Sequence, residues 1–267
     1  MNQIEDRGAD GSGTGVRVLA RGLAILQAFE PDNAWRSNTE LAARTGVPKP
    51  TVSRITAHLT ASGYLIYSPE KAQYKLGTSV LALGYLAASA CELTTQARPL
   101  MQQLADDHSG SIVLASQDGL RMVCREVCHG RGMLFGLRVH PGSRLSLSRS
   151  ALGKAVIGAM DETERAKLLA AIAHAHPEHW QRLEPEIQAA VRQMQAHDYC
   201  IAIGTVETGT NGIAVVIDMP DRPHAYALGF AVPANQVTAE HLAAAIAPRL
   251  LEIKHRLERD VARRSAE

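Results

Sequence analysis

Between Thr39 and Gly63, the segment TELAARTGVPKPTVSRITAHLTASG places Leu41, Ala42, Val47, Val52, Ile55 and Leu59 at helical spacing on either side of Gly46. Few arrangements other than two short crossed helices bury such a set. Ala42 is small enough for a close crossing, and Gly46 can take the left-handed conformation that turns the chain. Val52, Ile55 and Leu59 form one stripe of the second helix, and Thr51, Ser53, Arg54, Thr56 and His58 form another. The second stripe suits phosphates and base edges in a major groove. In a plain helical hairpin it would merely be solvated.

The flanks favour the first reading. Val16 to Phe29 supplies an amphipathic helix through Val18, Leu23, Ile25, Leu26 and Phe29, and Tyr64 to Leu76 reads as two strands around Ser68-Pro69-Glu70-Lys71. Three helices and a hairpin are the parts of a winged helix-turn-helix. Residues 16–76 carry eight Lys or Arg against four Asp or Glu, whereas the whole chain has a formal net charge of only +1. The basic excess lies where the motif lies.

At 267 residues the chain is too long for this unit alone, so a second domain is expected, and 46% hydrophobic residues suffice for its core. The longest apolar stretch, Val80 to Cys91, is shorter than the roughly 18 residues of a membrane span. MNQIEDRGADGSGTG has no apolar signal core and is expected to be an unstructured tail, residues 1–15, of a cytoplasmic protein. The four cysteines make no convincing metal site: Cys124 and Cys128 would share one side of a strand with His129 nearby, but no second ligand cluster accompanies them. Reduced, mostly buried thiols are the simpler expectation, and spacing leaves a redox-sensing thiol open.

Beyond the hairpin, Val80, Leu83, Leu86, Ala87 and Ala90 predict a linker helix that either pairs with a second copy or packs on its own domain. A helix from Leu93 to His108 follows. Strands are predicted at 111–117 and 121–128, joined through Asp118-Gly119, then at 133–139 and 144–147. Helices at 151–160, 162–173 and 184–197 precede strands at 199–203, 212–218 and 225–232, and a long terminal helix is expected to bend at Pro248. This order describes an α+β domain with a central antiparallel sheet.

The order of parts resembles the IclR family of bacterial transcriptional regulators along nearly the whole chain. Residues 16–26 (VRVLARGLAIL) are similar to that family's first helix, Thr39 to Lys49 and Thr51-Val52-Ser53-Arg54 to its helix-turn-helix, and Gly63-Tyr64-Leu65 with Tyr74-Lys75-Leu76-Gly77 to its wing and exit. Ser150-Ala151-Leu152-Gly153-Lys154-Ala155 is similar to its most recognisable effector-domain segment. The resemblance implies a winged helix-turn-helix (16–77), a linker helix (78–92) and a GAF-like effector-binding domain (93–267), acting on operator DNA as a homodimer or dimer of dimers without cofactor or metal. DNA contact would fall on Lys49, Thr51, Ser53, Arg54 and His58, with Arg17, Arg21 and Lys75 toward phosphates. Arg54 is the first choice for a base contact, since guanidinium can grip both acceptors of a guanine edge. Pro50 departs from the small polar residue expected there and removes a backbone donor.

Ser150 can cap a helix starting at Ala151, and Gly153 permits close backbone approach, so free N–H groups there could hold a carboxylate or could belong to a merely packed helix. The resemblance implies effector contacts at Met133, Leu134, Leu145, Ser150, Ala151 and Leu152 on one side, and Ile203, Asn211, Gly229 and Ala231 on the other. After Tyr199 the family usually shows an acid-rich segment and then a Gly-apolar-x-Cys run, whereas this chain reads Cys200-Ile201-Ala202-Ile203-Gly204-Thr205-Val206-Glu207 and reaches Asn211 without that cysteine, and it has Gly229 and Ala231 where some members have serines. Fewer fixed donors imply a roomier pocket for an aromatic or apolar-bodied acid. Two other classes compete: a thiol-dependent hydrolase using Cys124 or Cys200 with one of eleven histidines, for which no nucleophile elbow appears, and an architectural DNA-binding protein that no metabolite alters.

Overall fold

The computed structural model describes residues 11–30, 33–89, 92–131, 139–206, 209–219 and 225–265. The chain divides into two compact units, Met1–Ser89 and Ala90–Glu267.

In the first unit, α1 (Gly11–Gln27) starts inside the stretch expected to be unstructured, since the Gly-rich segment continues the helical hydrogen bonds of the apolar helix behind it. Helices α2 (Asn38–Thr45) and α3 (Lys49–Ala61) follow, then β1 (Leu65–Ser68), β2 (Gln73–Leu76) and α4 (Thr78–Ser89). Ser37 caps α2 by accepting from the Glu40 N–H while the Glu40 carboxylate accepts from the Ser37 N–H at 2.7 Å, a reciprocal capping box. Gly46 ends α2 at φ 67° and its N–H donates to the Ala42 carbonyl, as its placement in the sequence predicts. Ile25, Leu41, Val47, Val52 and Ile55 close the core of the three helices. Arg36 pairs its backbone with Tyr74 in both directions, at 2.8 and 2.7 Å, and so adds one rung beside β2 of the wing. Among the described residues helix α4 has no buried residue: Val80 is half-buried, and the rest of its expected apolar stripe from Leu83 to Ala87 is exposed.

The second unit opens with α5 (Glu92–His108), β3 (Ser111–Asp118), β4 (Arg121–His129) and β5 (Arg144–Ser146). Of the strand expected at 133–139, residues 133–138 lie outside the described residues. Helices α6 (Ala151–Ala159), α7 (Glu162–Ala175) and α8 (Trp180–His197) precede β6 (Cys200–Val206), β7 (Thr210–Ile217) and β8 (Tyr226–Pro233). Helix α8 starts at Trp180 rather than Glu184, so that Pro185 lies inside it; the extra turn buries Leu183, and that burial offsets the missing proline donor. The strands form one antiparallel sheet in the order β5-β4-β3-β8-β7-β6. On one face lie α5, α9 (Ala239–His241) and α10 (Ala247–Ser265), and on the other α6, α7 and α8. The unit is α+β with its sheet between two helical layers.

The two faces differ in side-chain size. Toward α5 and α10 the middle strands present Ile112, Leu114, Ile213, Val215, Leu228 and Phe230. Toward α6 they present Val113, Ala115, Ala214 and Ala227, interspersed with Gly212 and Gly229, and the edge strand β6 adds Ala202. One face fills its space and the other leaves some under α6.

Two local irregularities correct the sequence reading. In β4 the register slips between Leu114, opposite Glu126, and Ala115, opposite Cys124, so Arg125 is an extra residue. This bulge reverses the alternation and puts Cys124 and Cys128 on opposite faces of the sheet, not on one side as the spacing predicts. The terminal helix is irregular one turn earlier than expected: Leu242–Ile246 is π-helical and the Ala247 N–H donates to the Leu242 carbonyl. Pro248 lacks an N–H and its ring would crowd the carbonyl four residues back, and the widened turn just ahead of it gives that ring room.

Candidate functional site

Helix α3 buries Val52, Ile55 and Thr56. Pro50, Ser53, Arg54, Ala57, His58 and Ala61 recur on its opposite face and are exposed, with Lys49 at the helix start. Thr56 does not belong to that face: it is 0% exposed and its hydroxyl donates to the Asn38 side chain and to the Ser53 carbonyl, both at 3.2 Å. Asn38 also donates to Ser53 Oγ at 3.0 Å, which ties the exposed hydroxyl to α2. Thr51 is half-buried. The α3 N-terminus has no side-chain cap, and Pro50 stands in its first turn, where a missing donor costs little.

The local charge is partly internal. Arg36 pairs with Glu30 at 3.1 Å and Glu40 at 3.8 Å, and Arg44 also pairs with Glu30. These arginines hold the loop ahead of α2 against the helix, and the Ser37 backbone N–H, with the Ser37 hydroxyl second, holds the Glu40 carboxyl below its ordinary range. Arg17 and Arg21 are exposed on α1 one turn apart. Lys75 is half-buried, with Nζ 5.1 Å from the Trp35 ring centre, and Lys71 Nζ lies 5.0 Å from the same centre. Neither Trp35 nor Lys71 stands out from motif spacing. A lone indole in a polar loop, among only 4% aromatic residues, is the signal that could have found the pair.

In the second unit a cavity open to solvent lies between α6 and the small-residue face of the sheet. Of the residues named as effector contacts, Leu145, Ser150, Ala151, Leu152, Gly229 and Ala231 line it. Val113, Ala202, Thr210, Gly212, Ile213 and Phe230 line it too, and motif spacing does not single them out. Ile203 does not line it: it is 48% exposed on the edge strand beside the irregularity in β6. Asn211 is 4% exposed but outside the lining, since its amide accepts from the Gly204 N–H and donates to the Ala234 and Val237 carbonyls at 3.2 and 2.8 Å. It fastens the sheet edge. Met133 and Leu134 lie outside the described residues.

The polar groups of the cavity come from the start of α6. Ser150 Oγ accepts from the Gly153 N–H at 3.1 Å and donates to the Ser146 carbonyl at 2.7 Å, so its hydroxyl is committed to the turn. The close approach that Gly153 permits is intramolecular: an added Cβ would lie 2.0 Å from the Leu147 carbonyl oxygen. The Ala151 and Leu152 N–H groups have no hydrogen-bond partner among the described residues and carry the positive end of the helix dipole. One turn in, Lys154 is 3% exposed and paired with Glu186 at 2.7 Å.

The thiols are poorly suited to nucleophilic work. Burial pushes Cys124 and Cys200 up to about 12 and Cys128 up to about 11. Cys200 donates to the Ala151 carbonyl at 3.3 Å, and none of the three is in a disulfide. Among the described residues no group of three His, Cys, Asp or Glu could hold a metal ion, and no helix is long and apolar enough to cross a membrane.

Known proteins resemble this chain in both units. The sequence model of the IclR helix-turn-helix domain matches residues 18–69, and that of the bacterial transcriptional regulator IclR C-terminal domain matches 85–258. The HTH-type transcriptional regulator TsaQ1/TsaQ2 of Comamonas testosteroni is 28% identical over 244 residues, 91% of this chain and 87% of its own. A crystal structure of an IclR family transcriptional regulator from Brucella abortus has a TM-score of 0.84 at 35% identity, over 96% of this chain and 97% of that one. The crystal structure of an IclR homolog complexed with 4-hydroxybenzoate from Microbacterium hydrocarbonoxydans shares the fold, with a TM-score of 0.68 at 21% identity over 92% of this chain and 99% of that one. These relatives are regulators rather than enzymes, and with both domain models falling in order on one polypeptide, the chain belongs to the IclR family of bacterial transcriptional regulators.

Proposed function

We propose that the protein binds operator DNA through α3 and that an aromatic or otherwise apolar-bodied carboxylic acid, seated under the start of α6, adjusts that binding. The observation that carries this reading is the pairing of two N–H donors, on Ala151 and Leu152, that have no partner among the described residues, with a cavity otherwise lined by Val113, Leu145, Ala202 and Gly229. A carboxylate suits the helix start, and a ring suits the wall. That a protein of the same fold was crystallised with 4-hydroxybenzoate agrees with this class of ligand. Calorimetric titration with substituted benzoates and with glyoxylate and pyruvate tests it: micromolar binding of a benzoate is expected, and preference for the small keto acids would overturn it.

On the DNA side, Arg54 reads a base edge, Lys49, Thr51, Ser53 and His58 position α3, and Arg17, Arg21 and Lys75 meet phosphates. Arg54→Ala is expected to weaken binding to the protein's own upstream region by about ten- to a hundredfold, the loss of one bidentate contact, and to reduce preference over scrambled duplex. The apolar and largely exposed α4, with Leu81, Tyr85 and Leu86 each more than 60% exposed, pairs with its counterpart in a second copy. Light scattering on Leu81→Glu and Leu86→Glu should show loss of the dimer or dimer of dimers. The effector then acts by linkage, binding one arrangement of the paired copies better than another. Gel shifts that no acid alters would instead favour a purely architectural role.

A further inference from the structure

Two cations converge on one indole at the wing. The bridge between Arg36 and Tyr74 sets Trp35 beside Lys75 across the strand pair. Lys71 reaches the same ring from the hairpin loop, where Ser68 pairs with Gln73 and leaves residues 69–72 to turn the chain. Ala72 closes that loop at φ 51°, a left-handed conformation that a side-chain-bearing residue rarely adopts. The two ammonium groups, 5.0 and 5.1 Å from the ring centre, are therefore no more than about 10 Å apart. Among the described residues neither is within ion-pair distance of a carboxylate, in contrast to Arg36 and Arg44. Gathering like charges is unfavourable, and the ring's negative face offsets this only in part. A polyanion that spans both would offset the rest.

We propose that Trp35 is a positioning residue that holds Lys71 and Lys75 as a two-point clamp on the sugar-phosphate backbone of duplex DNA. This rests on the DNA-binding reading and adds to it a residue that touches no DNA itself. The clamp contributes affinity and salt dependence but not sequence preference, because phosphates carry no sequence information. It is also set before DNA arrives, since the Arg36–Tyr74 rung and the Ala72 turn fix the platform and the loop.

Fluorescence anisotropy of the full chain on a labelled duplex from its own upstream region, and on a scrambled duplex, over a range of salt concentrations, tests the clamp. Replacing both lysines by alanine should lower the slope of log K against log salt by about 1.8, about 0.9 per phosphate, on both duplexes. Trp35→Ala should lower it by at least about 0.9 and weaken low-salt binding about five- to tenfold. Trp35→Phe keeps a ring face and should stay within about threefold of the parent. In the double-lysine background Trp35→Ala should change nothing more. An unaltered slope in Trp35→Ala, or an equal loss in that background, would overturn the proposal. Should Trp35→Ala fail to fold, Trp35 emission in a Trp180→Phe background decides the same question: a DNA-induced change must vanish when the lysines are removed, and its persistence would overturn the clamp. If the parent protein binds both duplexes equally, the regulator reading fails, while the slopes still decide the clamp.

Discussion

Gly153→Ala should destabilise the second unit although it replaces a glycine within a helix. In open space that exchange favours the helix by about 1 kcal/mol. Here the new Cβ would sit 2.0 Å from the Leu147 carbonyl oxygen and 2.5 Å from that residue's carbonyl carbon and Cα. Ordinary contact is about 3.5 Å, so α6 and the turn before it must separate by more than about 1 Å. Both obstacles are backbone, and Leu147 is fully buried with its N–H donated to the Leu120 carbonyl. Overpacking of this kind costs about 1–3 kcal/mol, and distorting the Ser150 cap costs about 1 kcal/mol more. Set against the helical gain, the net loss is about 1–3 kcal/mol, or about 1 M in urea midpoint for a slope near 2 kcal/mol/M. Urea unfolding followed by Trp180 emission in a Trp35→Phe background reads this unit. Gly84→Ala in α4, followed by far-ultraviolet circular dichroism because α4 belongs to the first unit, is the control of opposite sign, since nothing lies within 4 Å of its Cβ. If Gly153→Ala unfolds at or above the parent midpoint, the close approach of α6 to Leu147 is not what requires glycine.

Three further outcomes follow from the same geometry. Gly229→Ala should fold, since the new Cβ lies 2.9 Å from the end of the flexible Leu152 side chain and 3.2 Å from the Ile213 carbonyl oxygen, a gap that a few tenths of an ångström relieves, and should weaken binding of the proposed acid about tenfold in calorimetry while ligand-free DNA binding is unchanged. In a Cys91→Ser background, Cys124, Cys128 and Cys200 should resist iodoacetamide at pH 8 until the protein is unfolded, because burial holds all three thiols far above that pH; rapid labelling of any one in the native state would contradict its burial. Glu40 has a lowered folded pKa, so its capping box contributes stability above the unfolded carboxyl range, about 4.3, and loses it as pH falls through the folded value. The stability gap between parent and Glu40→Ala should therefore be constant above about pH 5 and close in acid, as thermal melts would show.

Legibility in the sequence follows the range of the interactions. The helix-turn-helix announces itself because Leu41, Gly46, Val52 and Ile55 act within one or two turns of each other. Thr56 misleads because its partner Asn38 lies in the other helix, and a hydroxyl on a helix does not reveal whether it meets water or an amide. The extra residue Arg125 in β4 leaves no mark in composition, yet it sends Cys124 and Cys128 to opposite faces. Half of the cavity's wall, Ser150 to Leu152 with Leu145, Gly229 and Ala231, is named by the family resemblance. Ala202, Thr210 and Gly212 are not, because they join the wall only through pairing of β6, β7 and β8. Asn211 looks like a ligand contact and is instead a brace for residues 204, 234 and 237, a role fixed by the chain's return after β8.

The middle of the large sheet joins residues 111–116 to 226–231. On a ribosome, the first of these segments emerges long before the second, and until β8 arrives its edge has no partner on that side. The first unit, by contrast, closes through neighbours within residues 11–89. During synthesis the helix-turn-helix unit can thus close while the second unit is still a half-sheet, and the newborn chain passes through an interval in which a finished small domain trails an exposed β3 edge.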